Sequence, residues 1–203
     1  MKSSSVVYCI LAVPYLILGG CSQKQSTKNA AQVVEANYGG FKSQVDWGKH
    51  LVTTGGCNDC HTPKMMTAMG PVNDTTLTLS GHPANGHIPD VNRDEMESKG
   101  LSVSNDFTAW VGPWGITYAA NLTPDETGIG NWTQAQFFKA IRERKFMGMD
   151  GTRPLLPPMS IMAVNYATMS DNELAAVFAY LKSLKPVHNE VPAPEPPVMA
   201  VKH

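Results

Sequence analysis

The chain has 203 residues, of which 42% are hydrophobic and 16% charged, enough for one globular domain with tails. Its formal net charge of −1 excludes the strongly basic balance of a nucleic-acid binder or of a protein held to an acidic membrane by charge. With 17 Gly and 15 Pro, the composition predicts a loop-rich fold wrapped around something rather than a sheet-dominated one.

Residues 1–20 read as an export signal. Lys2 supplies the positive start, and Val6 to Leu18 is apolar apart from Pro14. That stretch is shorter than the ~20 residues a membrane-spanning helix needs. Leu18-Gly19-Gly20-Cys21 resembles the bacterial lipoprotein processing box. The resemblance implies cleavage before Cys21 and lipid on its sulfur and new amino group, which anchors a chain to a membrane without spanning it. Residues 21–43 then form a polar, flexible tether.

Val45 to Thr54 predicts a short helix with Val45, Gly48, Leu51 and Val52 on one face. Gly48 inside it suggests a close backbone crossing with another helix. Gly55-Gly56 ends the helix immediately before Cys57-Asn58-Asp59-Cys60-His61.

That five-residue run is C-x-x-C-H, the attachment signature of a c-type haem. Two thiols at this spacing can each add to one vinyl group of the same porphyrin. The following His supplies the proximal imidazole. Two other chemistries compete for these residues. Cys57, Cys60, His82 and His87 could form a two-Cys, two-His zinc site, although the gap from Cys60 to His82 is longer than usual. A C-x-x-C redox pair would need a thioredoxin-like βαβ context, which the chain lacks. Only the haem reading uses Cys60 and His61 as a unit. Of the four cysteines, Cys9 and Cys21 fall in the signal and at its cleavage site, so none remains for a structural disulfide or for nucleophilic catalysis.

Residues 62–120 carry few signals. Gly70-Pro71 marks a turn, and 90–99 is charged without a clear period. Leu101 to Trp110 and Ile116 to Leu122 predict two strands around Gly112-Pro113-Trp114-Gly115. His82 and His87 read as surface or pocket-lining residues. Asn131 to Phe146 predicts a helix with a Thr133–Gln136 capping box and an apolar stripe of Phe137, Phe138 and Ile141. Its Lys139, Arg142, Arg144 and Lys145 make either a solvated face or a docking patch for an acidic redox partner. Residues 151–158 are a Pro-rich loop. Ser170 to Leu184 predicts the last helix, capped by Ser170 and Glu173, with Leu174, Val177, Phe178, Leu181 and Leu184 buried. The Pro-rich residues 187–203 read as an unfolded tail.

A haem held by His61 has a second face. Met159, Met162 and Met169 all precede the last helix. Met159 follows Pro157-Pro158, which stiffens the backbone, and a rigid loop can hold a weak thioether on iron.

Cys57 to His61, Leu156-Pro157-Pro158-Met159 and Ala179-Tyr180-Leu181-Lys182 resemble a class I cytochrome c. Asn121-Leu122-Thr123-Pro124-Asp125, Thr127-Gly128-Ile129-Gly130 and Trp132 are similar to runs in cytochrome c domains of membrane-bound bacterial dehydrogenases. The resemblance covers residues 44–186. It implies a mainly α cytochrome c fold; the long stretch between His61 and Met159 departs from a minimal cytochrome c and reads as a loop-rich insertion with a small β-hairpin. It implies one haem c, linked through Cys57 and Cys60, with His61 and Met159 as axial ligands. It also implies a Pro71 carbonyl accepting the His61 Nδ1–H, with Trp132, Arg153 and Asn121 around the propionates. The function it implies is single-electron transfer on the periplasmic side of a bacterial membrane. The redox partners would be a dehydrogenase donor or an oxidase acceptor. The alternative is a haem enzyme or sensor with an open distal site, in which His82 or His87 serves as acid–base.

Overall fold

The structure is a computed structural model that describes residues 37–198; the stretch read as an export signal, Cys21, most of the expected tether and residues 199–203 of the expected tail lie outside the described residues. Among the described residues, six α-helices and two antiparallel hairpins follow in chain order: α1 (Gln44–Thr54), α2 (Cys57–His61), β1 (Lys64–Thr67), β2 (Gly70–Asn73), α3 (Arg93–Ser98), β3 (Ala109–Gly112), β4 (Gly115–Tyr118), α4 (Gln134–Arg142), α5 (Met159–Tyr166) and α6 (Asp171–Ser183). The fold is partly helical, and its architecture is compatible with a cytochrome c-like one.

Helices α1 and α6 cross at Gly48. A Cβ there would overlap the Ala176 carbonyl oxygen and sit 2.8 Å from Tyr180 Cβ. Hydrogen is therefore the only side chain that fits, which is the crossing the sequence predicts. Around it Val52, Leu79, Ile129, Phe137, Leu174, Val177 and Leu181 form the buried core. Each fully buried aliphatic side chain contributes about 1.5–3 kcal/mol. Phe137 of α4 stacks on Phe178 of α6 with ring centroids 5.3 Å apart. Both predicted capping boxes form, at Thr133–Gln136 and Ser170–Glu173. Helix α4 is shorter than predicted, because Arg144 and Met147 take positive φ and break the run.

The middle of the chain corrects several expectations. The predicted hairpin around Pro113-Trp114 forms, with Gly112 opposite Gly115, but its strands are only four residues each. A second hairpin lies at β1–β2, where Gly70 pairs with Thr67 and Pro71 with Met66; the turn is Ala68-Met69, two residues before the predicted Gly70-Pro71. The charged 90–99 stretch contains α3, started by Asn92, whose side chain accepts from Glu95 N at 3.2 Å.

Residues 187–198, the described part of the expected unfolded tail, form a docked strap. Glu195 exchanges two backbone hydrogen bonds with Ile116 of β4, at 2.9 and 3.0 Å. Asn189 donates to the Ser80 and His82 carbonyls and accepts from Ala84 N. Arg93 clamps Glu195 and the Pro196 carbonyl. Proline lacks an N–H, so a Pro-rich run cannot build its own ladder; the non-proline residues between supply the bonds.

Candidate functional site

Helix α2 is one turn holding the C-x-x-C-H residues. It starts at Gly56, in the left-handed region. Four hydrogen bonds hold its far end. Lys64 Nζ donates to the Asp59 and Thr62 carbonyls at 2.9 and 2.5 Å. Thr62 Oγ1 donates to Asn58 Oδ1 at 3.0 Å, and Leu79 N donates to Thr62 Oγ1 at 2.9 Å. Tyr166 of α5 donates its hydroxyl to the Gly55 carbonyl at 2.5 Å, tying α5 to the approach to Cys57. Burial, with the cysteines and Asp59 adding to it, pushes that phenol up to about 12.

Cys57 and Cys60 are both free thiols. Burial pushes the Cys57 thiol up to about 11 and raises Cys60 as well. A dithiol redox centre needs a depressed thiol pKa, so these surroundings do not suit one. The zinc set is not assembled either. His82 is 1% exposed, with Nδ1 on Thr108 Oγ1 at 2.7 Å and its ring 5.0 Å from Tyr118, whereas His87 is exposed. Thus His82 is a core residue, not the surface or pocket-lining one expected. Among the described residues no group of three His, Cys, Asp or Glu side chains could hold a metal ion.

The His61 ring is fixed by a different carbonyl from the expected one. Its Nδ1 lies 2.8 Å from Ala120 O. A carbonyl only accepts, so Nδ1 carries the proton and Nε2 keeps its lone pair. Pro71, the residue expected in this role, lies in β2 opposite Met66. Desolvation holds the imidazole below its ordinary pKa, with the Ala120 bond opposing the shift; both the tautomer and the neutral form suit a metal ligand.

A cavity of about 870 Å³ opens beside this ring, within the usual range of cofactor pockets. Cys60, His61, Trp132, Arg153, Met159 and Met162 all line it. Met159 is the first residue of α5 and Met162 is one turn on, so two thioethers reach the same space. Met169 instead packs against the core. Neither His82 nor His87 lines the cavity. Arg153 is desolvated, stacks over Phe146 at 4.1 Å and forms no ion pair among the described residues. Asn121 also lines the cavity, but its polar atoms are engaged within the chain. Its Nδ2 donates to Thr127 Oγ1 and the Val187 carbonyl, and its Oδ1 accepts from the Thr123 N–H and hydroxyl, so the side chain braces the 121–128 loop. Cys60, the oriented imidazole, the thioethers and the cavity they line fit a covalently linked haem, with Cys57 one turn away on the core side of α2.

The basic face of α4 is largely neutralised within the chain. Lys139 and Lys145 pair with Asp150, and Arg142 pairs with Asp171. This favours the solvated-face reading over an electrostatic docking patch. Among residues that shape the site, Ala120, Tyr166 and the strap residues 190–194 along the cavity had no sequence signal. A backbone carbonyl leaves no mark in the sequence, and a lone Tyr carries no motif.

Comparison with known proteins agrees with the motif resemblance. No family model matches the chain. It is 30% identical over 152 residues to a nicotinate dehydrogenase subunit of Pseudomonas putida, covering 74% of this chain and 9% of that protein. It is 28% identical over 137 residues to the gluconate 2-dehydrogenase cytochrome c subunit of Pantoea cypripedii, covering 67% of this chain and 22% of that one. It is 38% identical over 85 residues to the cytochrome c subunit of the quinone alcohol dehydrogenase of Gluconobacter oxydans, covering 41% of this chain and 17% of that one. The chain therefore spans less than a quarter of the length of each. Its relatives include cytochrome c subunits of bacterial dehydrogenases.

Proposed function

We propose that this chain carries single electrons through one covalently bound haem c at the periplasmic surface of a bacterial membrane. Cys57 and Cys60 form the thioethers, and His61 and Met159 are the axial ligands. A bound haem supplies one-electron chemistry by cycling between ferrous and ferric iron. The residues supply the rest. Ala120 orients His61, and α5 presents Met159. Arg153 and Trp132 are the candidates to meet the propionates, Arg153 because a desolvated guanidinium without an ion pair suits a carboxylate.

The observation that supports this reading most is that Met159 lines the same cavity as Cys60 and the oriented His61. A thioether opposite the imidazole suits electron transfer, whereas an open site suits enzymes and sensors. An enzyme of that kind would need a distal acid–base group, and the two histidines expected in that role lie away from the cavity. The relatives' names support a dehydrogenase as the redox partner. Lipid on Cys21 would keep the carrier at the membrane; no helix among the described residues is long and apolar enough to cross one.

The test is to express the exported chain in a host with haem-ligation machinery and extract it with acidified organic solvent. Haem that stays on the polypeptide supports the proposal; haem that enters the solvent overturns it.

A further inference from the structure

We infer that Thr117 is a positioning residue for Met159, an inference that rests on Met159 being the distal ligand. Thr117 belongs to β4 and is 5% exposed. Its hydroxyl sits between two partners. Trp114 Nε1 lies 3.2 Å away, and the Pro157 carbonyl oxygen 2.7 Å away. An indole N–H only donates and a carbonyl only accepts. The hydroxyl must therefore accept from Trp114 and donate to Pro157, so its rotor has one orientation.

Pro157 is two residues before Met159; upstream, the loop is anchored by Leu155 N on the Arg144 carbonyl at 2.7 Å, and between there and α5 the Thr117 bond is its tie to β4. Neither Pro157 nor Pro158 has an N–H to donate. The Leu156 carbonyl is taken by Ser160 N, and the Pro158 carbonyl by Ile161 N and Met162 N, all inside the first turn of α5. The Thr117 bond thus ties this loop to a separate element. The β4 backbone is itself held on its other side, where Ile116 pairs with Glu195 of the strap. Strap, hairpin and Met loop all contribute to the cavity wall, and Thr117 links the last two. A thioether is a weak ligand, so its hold on iron depends on how rigidly the backbone presents it.

The experiment compares haem-loaded wild type, Thr117→Val, Thr117→Ser and Met159→Leu. The readouts are the Met-to-ferric-iron absorption band, the cyanide affinity of the ferric form and the thermal midpoint. Thr117→Val keeps the shape and removes the hydroxyl. It should weaken the band and tighten apparent cyanide binding about fivefold, the equivalent of one lost hydrogen bond holding the closed loop. Thr117→Ser should restore both. A core variant of equal thermal loss, Val52→Ala, should leave cyanide affinity unchanged, which separates positioning from general destabilisation. If Thr117→Val does not accumulate, Trp114→Phe carries the test, since it frees the rotor but leaves the hydroxyl, and should shift cyanide affinity in the same direction. Unchanged band and cyanide affinity in the folded variant, alongside loss of the band in Met159→Leu, overturn the role of Thr117 alone. A band that survives Met159→Leu overturns the ligand assignment on which it rests.

Discussion

His61 Nδ1 and the Ala120 carbonyl oxygen, 59 residues apart in sequence, are 2.8 Å apart in the fold. Gly81 connects their two backbones. Its N–H donates to the His61 carbonyl at 2.8 Å, its φ is +80°, and a Cβ would lie 2.6 Å from Ala119 O and Ala120 C. Gly81→Ala therefore has no relaxed conformation. It should destabilise the protein by about 1–3 kcal/mol and displace the carbonyl that orients His61. Urea unfolding measures the first effect, and the ring-proton shifts of His61 the second. A variant with wild-type stability and shifts would show that the 119–120 backbone gives way freely.

The helix crossing makes a second prediction. Gly48→Ala inserts one carbon against the Ala176 carbonyl of α6. A backbone carbonyl in mid-helix cannot swing aside as a side-chain end can, so α1 and α6 must separate. The expected cost is on the order of 1–3 kcal/mol, and larger for Gly48→Val, read as a fall in thermal midpoint.

This crossing was legible in the sequence because a glycine inside an apolar helical face has few other uses. The same holds for the two capping boxes and for the hairpin at Pro113-Trp114, where local chemistry dictates local structure. The candidate ligands stand out in the sequence, since Cys57, Cys60 and His61 share one short motif and Met159 follows a double proline, and the structure brings Cys60, His61 and Met159 to one cavity. What was illegible is what non-local contacts decide. Nothing in Ala120 distinguishes its carbonyl from any other. The Pro-rich segment reads as unfolded because proline cannot form a ladder, yet Asn189 and Glu195 dock it. His82 looks like a possible ligand by residue type, but Thr108 and Tyr118 make it a core side chain.

The docked strap makes a third prediction. Asn189 satisfies three backbone groups with one side chain, at Ser80, His82 and Ala84. Asn189→Ala should destabilise the fold by about 1–3 kcal/mol, the penalty for leaving partly buried polar groups without partners. Amide exchange at Ile116 and Ala84 should also quicken. Protection unchanged from wild type would mean the strap is held without Asn189.

Acid dependence gives a fourth. Hydrogen bonds from Lys139 and Lys145 hold the Asp150 carboxyl at about 2, against an ordinary 3.8. Its folded pKa is depressed, so its stabilising contribution is complete above the ordinary value and is lost as pH falls through about 2. Asp150→Asn should therefore be less stable than wild type near neutral pH and equal to it at the acid end. Because the carboxylate is exposed, the difference should shrink in high salt. Denaturant midpoints across pH measure this, and a difference independent of pH would remove the charge from the explanation.

The last prediction concerns which sulfur binds iron. Met159 and Met162 lie one helical turn apart at the start of α5 and both line the cavity, while Met169 packs against the core. Met162 is 42% exposed, so much of its side chain faces solvent, whereas Met159 is more enclosed and directly follows the loop anchored at Pro157. The enclosed side chain has less freedom to lose on binding, which favours Met159. Met→Leu is nearly volume-conserving, so packing should survive in each variant. Only Met159→Leu should abolish the Met-to-ferric-iron band, lower the reduction potential and open the iron to carbon monoxide and cyanide. Met169→Leu should change stability alone. Loss of the band in Met162→Leu with Met159→Leu unaffected would move the ligand one turn along α5 and leave electron transfer intact. If every variant and the wild type already bind cyanide readily, the distal site is open and the enzyme or sensor reading replaces the carrier.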